Sequence, residues 1–263
     1  MSVFLTPDRV VTQRVGGATL TINEKIIPDN MVAPRNVAAW VQQGQPMKPR
    51  APLGGNGVPR GVTVHNTNDI RVAAGTNAAE QYTRATFNGN MAGVVVHFYV
   101  WRGEIWQNLR LDERGWHAGD GQTRRAGRRS GQMVGGNLDT IAIESIGSHA
   151  HTTETTARLC AWLCREFDFD PVRDLWQHND FSPRSGCPVY IRRSGWGQFV
   201  GATQSYLNQA SPRIHTVIPG DTLWGIATRH LGHGNHAAKL RSYNGLRSNV
   251  IHPGQRLMIP HLR

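Results

Sequence analysis

The sequence predicts an α/β fold, with a mixed central β-sheet flanked by helices, followed by a small βααβ unit. Over residues 61–207, stretches with strand-like alternation are separated by stretches of helical periodicity, and strands that alternate with helices build layered α/β domains. Residues 214–263 carry a strand–helix–helix–strand pattern of their own. A short segment with Ser and Pro at 208–213 is the expected linker between the two parts.

Residues 1–60 are predicted to form an extended arm that packs on the main domain. Their prolines and a glycine cluster at 54–57 leave little room for regular elements, apart from a short helix near 37–43. The elements expected in the main domain are a strand at 61–65, a helix at 76–87, a hairpin of 93–101 with 104–107, a strand at 139–146 and a helix at 153–167. Cys160 and Cys164 share the apolar face of that last helix and are expected to be buried.

Turn and periodicity signals define the small unit. A strand begins near Thr216, and the turn that follows offers Asp221 or Thr222 as the N-cap of a helix. A second helix is expected at 237–243 and a closing strand at 255–260.

Composition excludes several classes of protein. No apolar run approaches the roughly 18 residues of a membrane span, so no stable membrane association is expected. The first residues lack the basic and apolar regions of a secretory signal. Three cysteines are too few for a disulfide framework.

The positive charge predicts an anionic partner or surface. The formal net charge is +11 and the pI is about 10.5. From Arg213 onward the chain has seven Lys or Arg and one acid, so the small unit holds over half of the excess. Nucleic acid is one anionic polymer, but its known binding motifs are missing, so a nucleic-acid partner is not expected.

Three side chains suit a catalytic metal site. His65 ends an alternating strand, and His178 and Cys187 stand nine positions apart in a segment rich in Pro, Gly and Ser. Two imidazoles and a thiolate are ligands for Zn²⁺, and three protein ligands leave one coordination position for water. Asp180 is the rival third ligand.

Glu144 is the expected general base. Alternation places it on the same face as Ala142 and Ile146, and an apolar setting raises the pKa of a carboxyl. A raised pKa suits a proton shuttle near neutrality, although a structural pairing with an arginine is the alternative. Arg184, three residues before the cysteine, can stabilise the oxyanion of a tetrahedral intermediate, or it can be a solvated loop arginine.

Four further residues are expected near a substrate. Asn66 and Thr67 follow the first histidine and can orient the ligand or line a cleft. His97 lies in an apolar strand, where a buried, hydrogen-bonded histidine near the site is the plainer interpretation. His117 lies in a turn-forming segment suited to the rim of a cleft.

Five motifs in order resemble one enzyme family. They are Val64-His65-Asn66-Thr67, Val96-His97-Phe98-Tyr99, Trp116 to Gly121, Ile141 to Glu144, and His178 to Pro188. Together they resemble the type-2 zinc N-acetylmuramoyl-L-alanine amidases of phage endolysins and autolysins, which are related to peptidoglycan-recognition proteins.

The amidase resemblance implies specific chemistry. It implies Zn²⁺ on His65, His178 and Cys187, Glu144 as base, and hydrolysis of the amide between N-acetylmuramic acid and L-alanine. Relatives usually have a lysine two residues before the cysteine, where this chain has Ser185, with Arg184 one step earlier.

Residues 214–261 resemble a LysM module, carried by Pro219-Gly220-Asp221-Thr222-Leu223-Trp224, Tyr243-Asn244-Gly245-Leu246 and Pro253-Gly254-Gln255. The resemblance implies a shallow groove for N-acetylglucosamine-containing glycans, lined by Gly220, Asp221, Thr222, Leu223, Asn249 and Ile251.

The expected protein is therefore an endolysin-like peptidoglycan hydrolase anchored to the wall by a LysM module. It would be made in the host bacterial cytoplasm and would reach the wall with a holin-type membrane permeabiliser. The alternatives are a non-catalytic peptidoglycan-binding protein and a zinc peptidase that cuts another stem-peptide bond.

Overall fold

The computed structural model describes residues 5–31, 48–49, 51–67, 77–91, 93–120, 123–126, 133–209 and 213–260. Within these ranges the strands are β1 (Arg9–Val15), β2 (Ala18–Glu24), β3 (Gly61–Thr67), β4 (Phe98–Trp101), β5 (Glu104–Gln107), β6 (Arg125–Ala126), β7 (Met133–Val134), β8 (Thr140–Ile146), β9 (Leu175–Gln177), β10 (Arg213–Thr216) and β11 (Arg256–Ile259). The α-helices are α1 (Ala78–Phe87), α2 (Gly136–Asp139), α3 (Ala150–Phe167), α4 (Pro171–Asp174), α5 (His178–Phe181), α6 (Val189–Asn208), α7 (Leu223–Leu231) and α8 (Ala237–Tyr243).

A seven-stranded mixed sheet organises the main domain, in the order β1-β2-β5-β4-β8-β3-β9. Strand β3 runs parallel to both β8 and β9, whereas β4 and β5 form an antiparallel hairpin. The predicted fold class, a mixed sheet flanked by helices, is confirmed.

Alternating side chains give the sheet two buried faces. On one face, Ile141 and Ile143 of β8 pack in the main core with residues of α3 and α6. On the other face, Ala142 and Ile146 pack with the start of α1. Strand β8 therefore needs apolar residues on both faces, and Glu144 is the one charged residue within its span.

The N-terminal arm differs from the prediction. Residues 9–24 are not an irregular extension but a hairpin, in which β1 pairs antiparallel with β2. Strand β2 continues the central sheet by pairing parallel with β5, with Ile22 opposite Ile105. The prediction is wrong here because no proline lies between Pro7 and Pro28, and the stretch between them alternates with period two. The predicted helix at 37–43 lies outside the described residues.

The turn of this hairpin requires glycine. Gly16 and Gly17 both have positive φ values, 54° and 77°, a region that glycine adopts without steric cost. A Cβ at Gly16 would also lie 2.7 Å from the ring of Tyr206. The turn therefore packs against α6, and the hairpin is part of the main domain.

Some strands and helices begin or end at residues other than those predicted. The strand predicted at 93–101 is regular only over Phe98–Trp101, and Val95 instead forms an isolated bridge with Trp116. The helix predicted at 153–167 begins earlier, at Ala150. Cys160 and Cys164 are fully buried in the main core, as expected.

The small unit has the predicted βααβ order. Strands β10 and β11 pair antiparallel, and α7 and α8 pack around a core that includes Ile226, Leu240 and Leu257. Of the two N-cap candidates, Thr222 caps α7 through its side chain. Helix α6 runs to Asn208 and β10 starts at Arg213, and residues 210–212 of the expected linker at 208–213 lie outside the described residues.

A search for a bilayer-crossing helix, limited to the residues described above, finds none of sufficient length and apolarity.

We predict that the hairpin contributes to the stability of the sheet. Ile22 is fully buried, so Ile22→Ala should lower the free energy of unfolding by about 2–5 kcal/mol through the lost burial and the cavity left behind. Urea denaturation measures this change. Val10→Thr is the matched control, because Val10 lies on the neighbouring strand with half its surface exposed, and surface substitutions stay within about 0.5 kcal/mol. Equal effects of the two substitutions would contradict the placement of β2 in the sheet.

Candidate functional site

Three adjacent parallel strands carry the predicted metal ligands and base to one edge of the sheet. His65 lies near the end of β3, and Glu144 faces it in register on β8. On the other side of β3, β9 ends at Gln177 and His178 follows directly. Ligand sites in open α/β sheets lie at the carboxyl ends of the strands, and this edge is such a position.

The structure brings His65, His178 and Cys187 together. One potential ligand atom from each residue lies within 4.8 Å of the other two. The Sγ atom of Cys187 is 3.9 Å from Nδ1 of His65, and the rings of His65 and His178 have centroids 4.5 Å apart. The long sequence separation between His65 and the other two is therefore closed by the pairing of β3 with β9.

Asp180, the rival ligand, has a different position. Its Oδ2 accepts a hydrogen bond from the backbone N–H of Gln177 at 2.9 Å, as part of a capping box at the start of α5. A capping box satisfies free N–H groups in the first turn of a helix. Asp180 is not part of the metal-binding group found among the described residues, and its cap holds His178 at the helix start.

The protonation preferences of the three side chains fit a metal ion. Burial, with smaller contributions from His117 and His178, lowers the pKa of His65 well below its usual value, and burial also lowers the pKa of His178. Both imidazoles are therefore neutral, which is the form that binds metal. Burial raises the pKa of the Cys187 thiol to about 12, so metal binding would displace its proton.

Contacts around the cluster fit the same donor set. The backbone N–H of Asn66 donates to Sγ of Cys187 at 3.2 Å, a bond that favours negative charge on sulfur. Two imidazoles and one thiolate match the ligands of a zinc site that keeps one coordination position open. The residues present therefore fit Zn²⁺.

Glu144 has the environment of a tunable base. Burial raises its pKa to about 7, and a hydrogen bond from Thr67 opposes this to a smaller extent. The hydroxyl of Thr67 donates to Oε1 of Glu144 at 2.7 Å. The negative charge of Glu144 also raises the pKa of Cys187, so the carboxylate is close enough to interact electrostatically with the three candidate ligands.

The side chains of Asn66 and Thr67 are bonded within the protein, which fits the alternative that they orient the groups of the site; substrate contact stays a prediction for both. The Asn66 amide is buried and donates to the carbonyls of Ser145 and Gly147, while its Oδ1 accepts from the N–H of Tyr190. Its side chain thus joins the end of β8 to the start of α6. The Thr67 hydroxyl is committed to Glu144.

Both ring nitrogens of His97 are also bonded within the protein. The side chain is fully buried; its Nε2 donates to the carbonyl of Glu113 at 2.9 Å and its Nδ1 accepts from the N–H of Ala142 at 3.0 Å. Burial lowers its pKa to about 4, so the ring is neutral. The plainer interpretation, a buried hydrogen-bonded histidine, is the one that the structure supports.

His117 does not lie on a rim. It is 6% exposed, and its Nδ1 lies 3.0 Å from Nε2 of His65. A turn-forming sequence is compatible with a buried loop as well as an exposed one, and here the loop packs against His65 of the candidate metal-binding group.

Two residues that support this loop were not predicted. Oδ1 of Asn137 accepts from the N–H groups of His117 and Ala118 at 2.6 and 2.8 Å. The carboxylate of Asp120 accepts from the N–H groups of Gly136 and Asn137 at the start of α2. The polar residues next to the Gly135-Gly136 pair indicate a turn, but their partners about twenty positions away cannot be identified from one sequence.

Arg184 is exposed in the loop before Cys187. Among the described residues, no hydrogen bond or ion pair ties its side chain to the site. Its expected role at an oxyanion therefore stays a prediction.

The six residues expected to line a glycan groove divide into two groups. Leu223 is 3% exposed and belongs to the small core, and Ile251 packs partly against that core. The Asp221 carboxylate is held by His215 at 2.6 Å, by the N–H of Ile218 at 3.0 Å and by Arg229. These side chains maintain the fold, and their expected contact with glycan stays a prediction.

The remaining three lie at the surface. Gly220, Thr222 and Asn249 are exposed, although the hydroxyl of Thr222 also caps α7 by accepting from Gly225. Ile218 and Val250, beside these residues in sequence, expose 55% and 64% of their surface. Sequence analysis missed these two apolar side chains because they follow no periodic pattern.

Comparisons with known proteins agree with this geometry. Residues 55–190 match a family model described as N-acetylmuramoyl-L-alanine amidase, and residues 215–260 match the LysM domain. The N-acetylmuramoyl-L-alanine amidase XlyB of Bacillus subtilis (strain 168) is 30% identical over 76% of this chain and 62% of its own length. XlyA of the same strain is 29% identical over 75% and 60%. The chain thus spans about three fifths of these two relatives.

A solved structure resembles the fold. The solution structure of the PlyG catalytic domain aligns with 71% of this chain and 94% of that domain, at a TM-score of 0.51 and 18% identity. At that identity the likeness shows the fold alone.

We predict a pH-dependent stability difference for Glu144→Gln in metal-free protein. The pKa of Glu144 is raised from 4.5 to about 7, so between these values the folded state keeps a proton that the unfolded state has released. Ionised Glu144 therefore costs stability that grows as the pH rises through this window. The gain from Glu144→Gln should be larger at about pH 8 than at about pH 4.5, as measured by urea denaturation with a chelator. A gain that does not change with pH would contradict the buried position of this carboxyl.

We also predict that Asp221→Asn destabilises the small unit at neutral pH. The N–H of Ile218, followed by His215, lowers the pKa of Asp221 below its usual value. The ionised group thus stabilises the fold above the unfolded-state pKa, and this contribution is lost as the pH falls through the folded-state pKa. Hydrogen exchange of the Ile226 and Ala227 amides should be faster in the variant at neutral pH. In strong acid the variant and the parent protein should exchange alike, and a difference that persisted there would refute this role.

Proposed function

Because the chain belongs to the N-acetylmuramoyl-L-alanine amidase family, we propose that it hydrolyses the amide bond between N-acetylmuramic acid and the L-alanine of the peptidoglycan stem peptide. The main support is the group of His65, His178 and Cys187 at the carboxyl ends of adjacent strands, with Glu144 beside it. The expected substrate is thus bacterial peptidoglycan, and the expected cofactor is Zn²⁺ held by these three side chains.

The ligand residues prepare the site for the metal. Zinc, when bound, acts as a Lewis acid that lowers the pKa of water to about 7 and polarises a carbonyl. The chain itself supplies neutral imidazoles through burial of His65 and His178. Asn66 steadies the sulfur of Cys187 through its N–H.

Glu144 moves the proton in the proposed reaction. A carboxylate oxygen of Glu144 accepts a proton from the attacking water, and the oxygen of that water bonds to the lactyl carbonyl carbon. The protonated carboxyl then delivers this proton to the alanine nitrogen as the C–N bond breaks. A pKa near 7 suits both halves of this transfer, and Thr67 keeps the carboxylate oriented through Oε1.

The negative charge that develops on the lactyl carbonyl oxygen during the reaction requires a positively charged side chain near it. We assign this role to Arg184, because the chain has Ser185 at the position where related enzymes usually have a lysine. An exposed arginine on a short loop can reach a bound substrate without first breaking a protein contact. Cationic donors at a developing oxyanion stabilise the transition state.

The LysM domain would keep the enzyme at its substrate. We propose that glycan contacts come from the surface of Gly220, Thr222 and Asn249, with apolar Ile218 and Val250 beside them. Positive charge concentrated after Arg213 would add attraction to anionic wall polymers. Tethering raises the effective concentration of the catalytic domain without adding contacts at the bond that is cleaved.

Three parts of the expected function concern more than the described residues can test. Synthesis in the host cytoplasm and dependence on a holin-type permeabiliser stay predictions. So does the absence of a nucleic-acid partner.

The predicted reaction is tested by identifying the new amino termini that it creates. Purified walls digested with zinc-loaded protein should release new amino termini that are alanine. Glu144→Gln should lower the rate by about 10²–10⁴-fold, which is the usual contribution of a general base. Chelation should abolish the activity, and added Zn²⁺ should restore it.

Glu104→Gln is the matched control, because Glu104 is an exposed carboxylate at the start of strand β5. It should leave the rate unchanged. New reducing sugars would indicate glycan cleavage, and new amino termini other than alanine would indicate a peptidase. Either outcome would refute the proposed bond.

A further inference from the structure

The two ring nitrogens of His65 face different partners. Its Nδ1 faces the sulfur of Cys187 at 3.9 Å, on the side of the metal-binding group. Its Nε2 faces Nδ1 of His117 at 3.0 Å. The two rings meet edge to face, at an interplanar angle of 89° and a centroid distance of 5.1 Å. This is hydrogen-bond geometry between two imidazoles, not stacking.

The direction of this hydrogen bond follows from metal ligation. If Nδ1 of His65 carries the metal, a neutral ring has its proton on Nε2. That proton can only be donated to Nδ1 of His117, which must then present a lone pair. His117 must therefore be the tautomer protonated on Nε2. Such a partner fixes the orientation and the tautomer of a metal-binding histidine and makes it a stronger ligand.

The backbone of His117 is held firmly enough for this role. Its N–H donates to the fully buried Asn137 amide at 2.6 Å. Asn137 is itself anchored to Asp120 through its N–H. The ring of His117 also lies close to the backbone of Gly115: a Cβ atom added to this glycine would be 3.0 Å from Cδ2 of His117. The loop thus leaves little freedom for the ring.

We infer that His117 is a positioning residue that accepts the proton of His65 Nε2 and thereby holds His65 in the tautomer and orientation that bind zinc through Nδ1. This inference rests on the proposed function, because it assumes that His65 is a zinc ligand. Carboxylates and backbone carbonyls usually accept this hydrogen bond, and here a second imidazole takes their place. A purely structural role for His117 predicts loss of stability without loss of metal affinity.

Zinc affinity separates the two roles. His117→Phe keeps a ring but has no acceptor, and should weaken zinc binding by about 10–100-fold, measured by competition with a chromophoric chelator. His117→Asn places an amide oxygen near the position of Nδ1 and should recover most of the affinity. His97→Phe is the matched control, since His97 is buried and bonded only to backbone groups; it should leave the affinity of the folded protein unchanged.

The outcomes distinguish the inference from the proposed function. If the parent protein binds no zinc, the proposed function fails and this inference fails with it. If the parent protein binds zinc and His117→Phe binds it equally well, only the inference is overturned. Circular dichroism identifies the folded variants on which affinity is compared.

A measurement on the parent protein needs no substitution. Long-range ¹H–¹⁵N spectra of zinc-loaded protein with labelled histidine report the tautomer of each ring. The expected result is that His65 and His117 are both neutral and protonated on Nε2. A proton on Nδ1 of His117, in either a neutral or a charged ring, would overturn the inference even if every variant failed to fold.

Discussion

The parallel pairing of β3 with β8 on one side and β9 on the other is the constraint on which the site depends. In a parallel sheet, neighbouring strands end at the same edge. Register then determines which side chains meet there: His65 stands opposite Glu144, and Val64 stands opposite Gln177, so that His178 emerges next to His65. A shift of one residue would turn His65 to the other face of the sheet. The long apolar runs that stabilise this pairing therefore also define the geometry of the chemistry.

Burial at this edge has opposite effects on different side chains. It keeps His65 and His178 neutral and favours metal binding, while it raises the pKa of Glu144 to about 7 and that of the Cys187 thiol to about 12. Isolated buried polar groups cost about 1–3 kcal/mol each. The hydrogen bonds of Asn66, Thr67 and His117 offset this cost, which explains why polar residues next to the candidate ligands are bonded within the protein.

The two units differ in how their charged side chains are placed. In the main domain, the titratable side chains of the candidate site are mostly buried, and each has few and specific partners. In the small unit, most of the charge is exposed and positive, and one buried carboxylate, Asp221, holds the turn before α7 through His215 and Ile218. A residue expected to bind glycan thus maintains the turn whose surface would bind it.

Local patterns in the sequence predicted the fold class, the order of most elements and the three candidate ligands that the structure brings together. Period-two alternation indicated β3, the apolar run indicated β8, and the types and spacing of His178 and Cys187 indicated a metal. Alternation also indicated Glu144 as the base, and the resemblance to a known family implied the same residue. The hairpin of β1 and β2 was missed although its alternation was visible, because the nearby prolines were given too much weight.

Tertiary structure decided what each polar neighbour does. Asn66, Thr67, His97 and His117 all had residue types suited to substrate contact, and each one instead bonds to a partner in the protein. The partners of these four side chains lie 16 to 124 positions away along the chain, and Asn137 lies 20 positions from His117. A hydrogen bond depends on distances of a few ångströms and on direction. Side-chain type and spacing determine which bonds are possible, and only the packed chain determines which of them form.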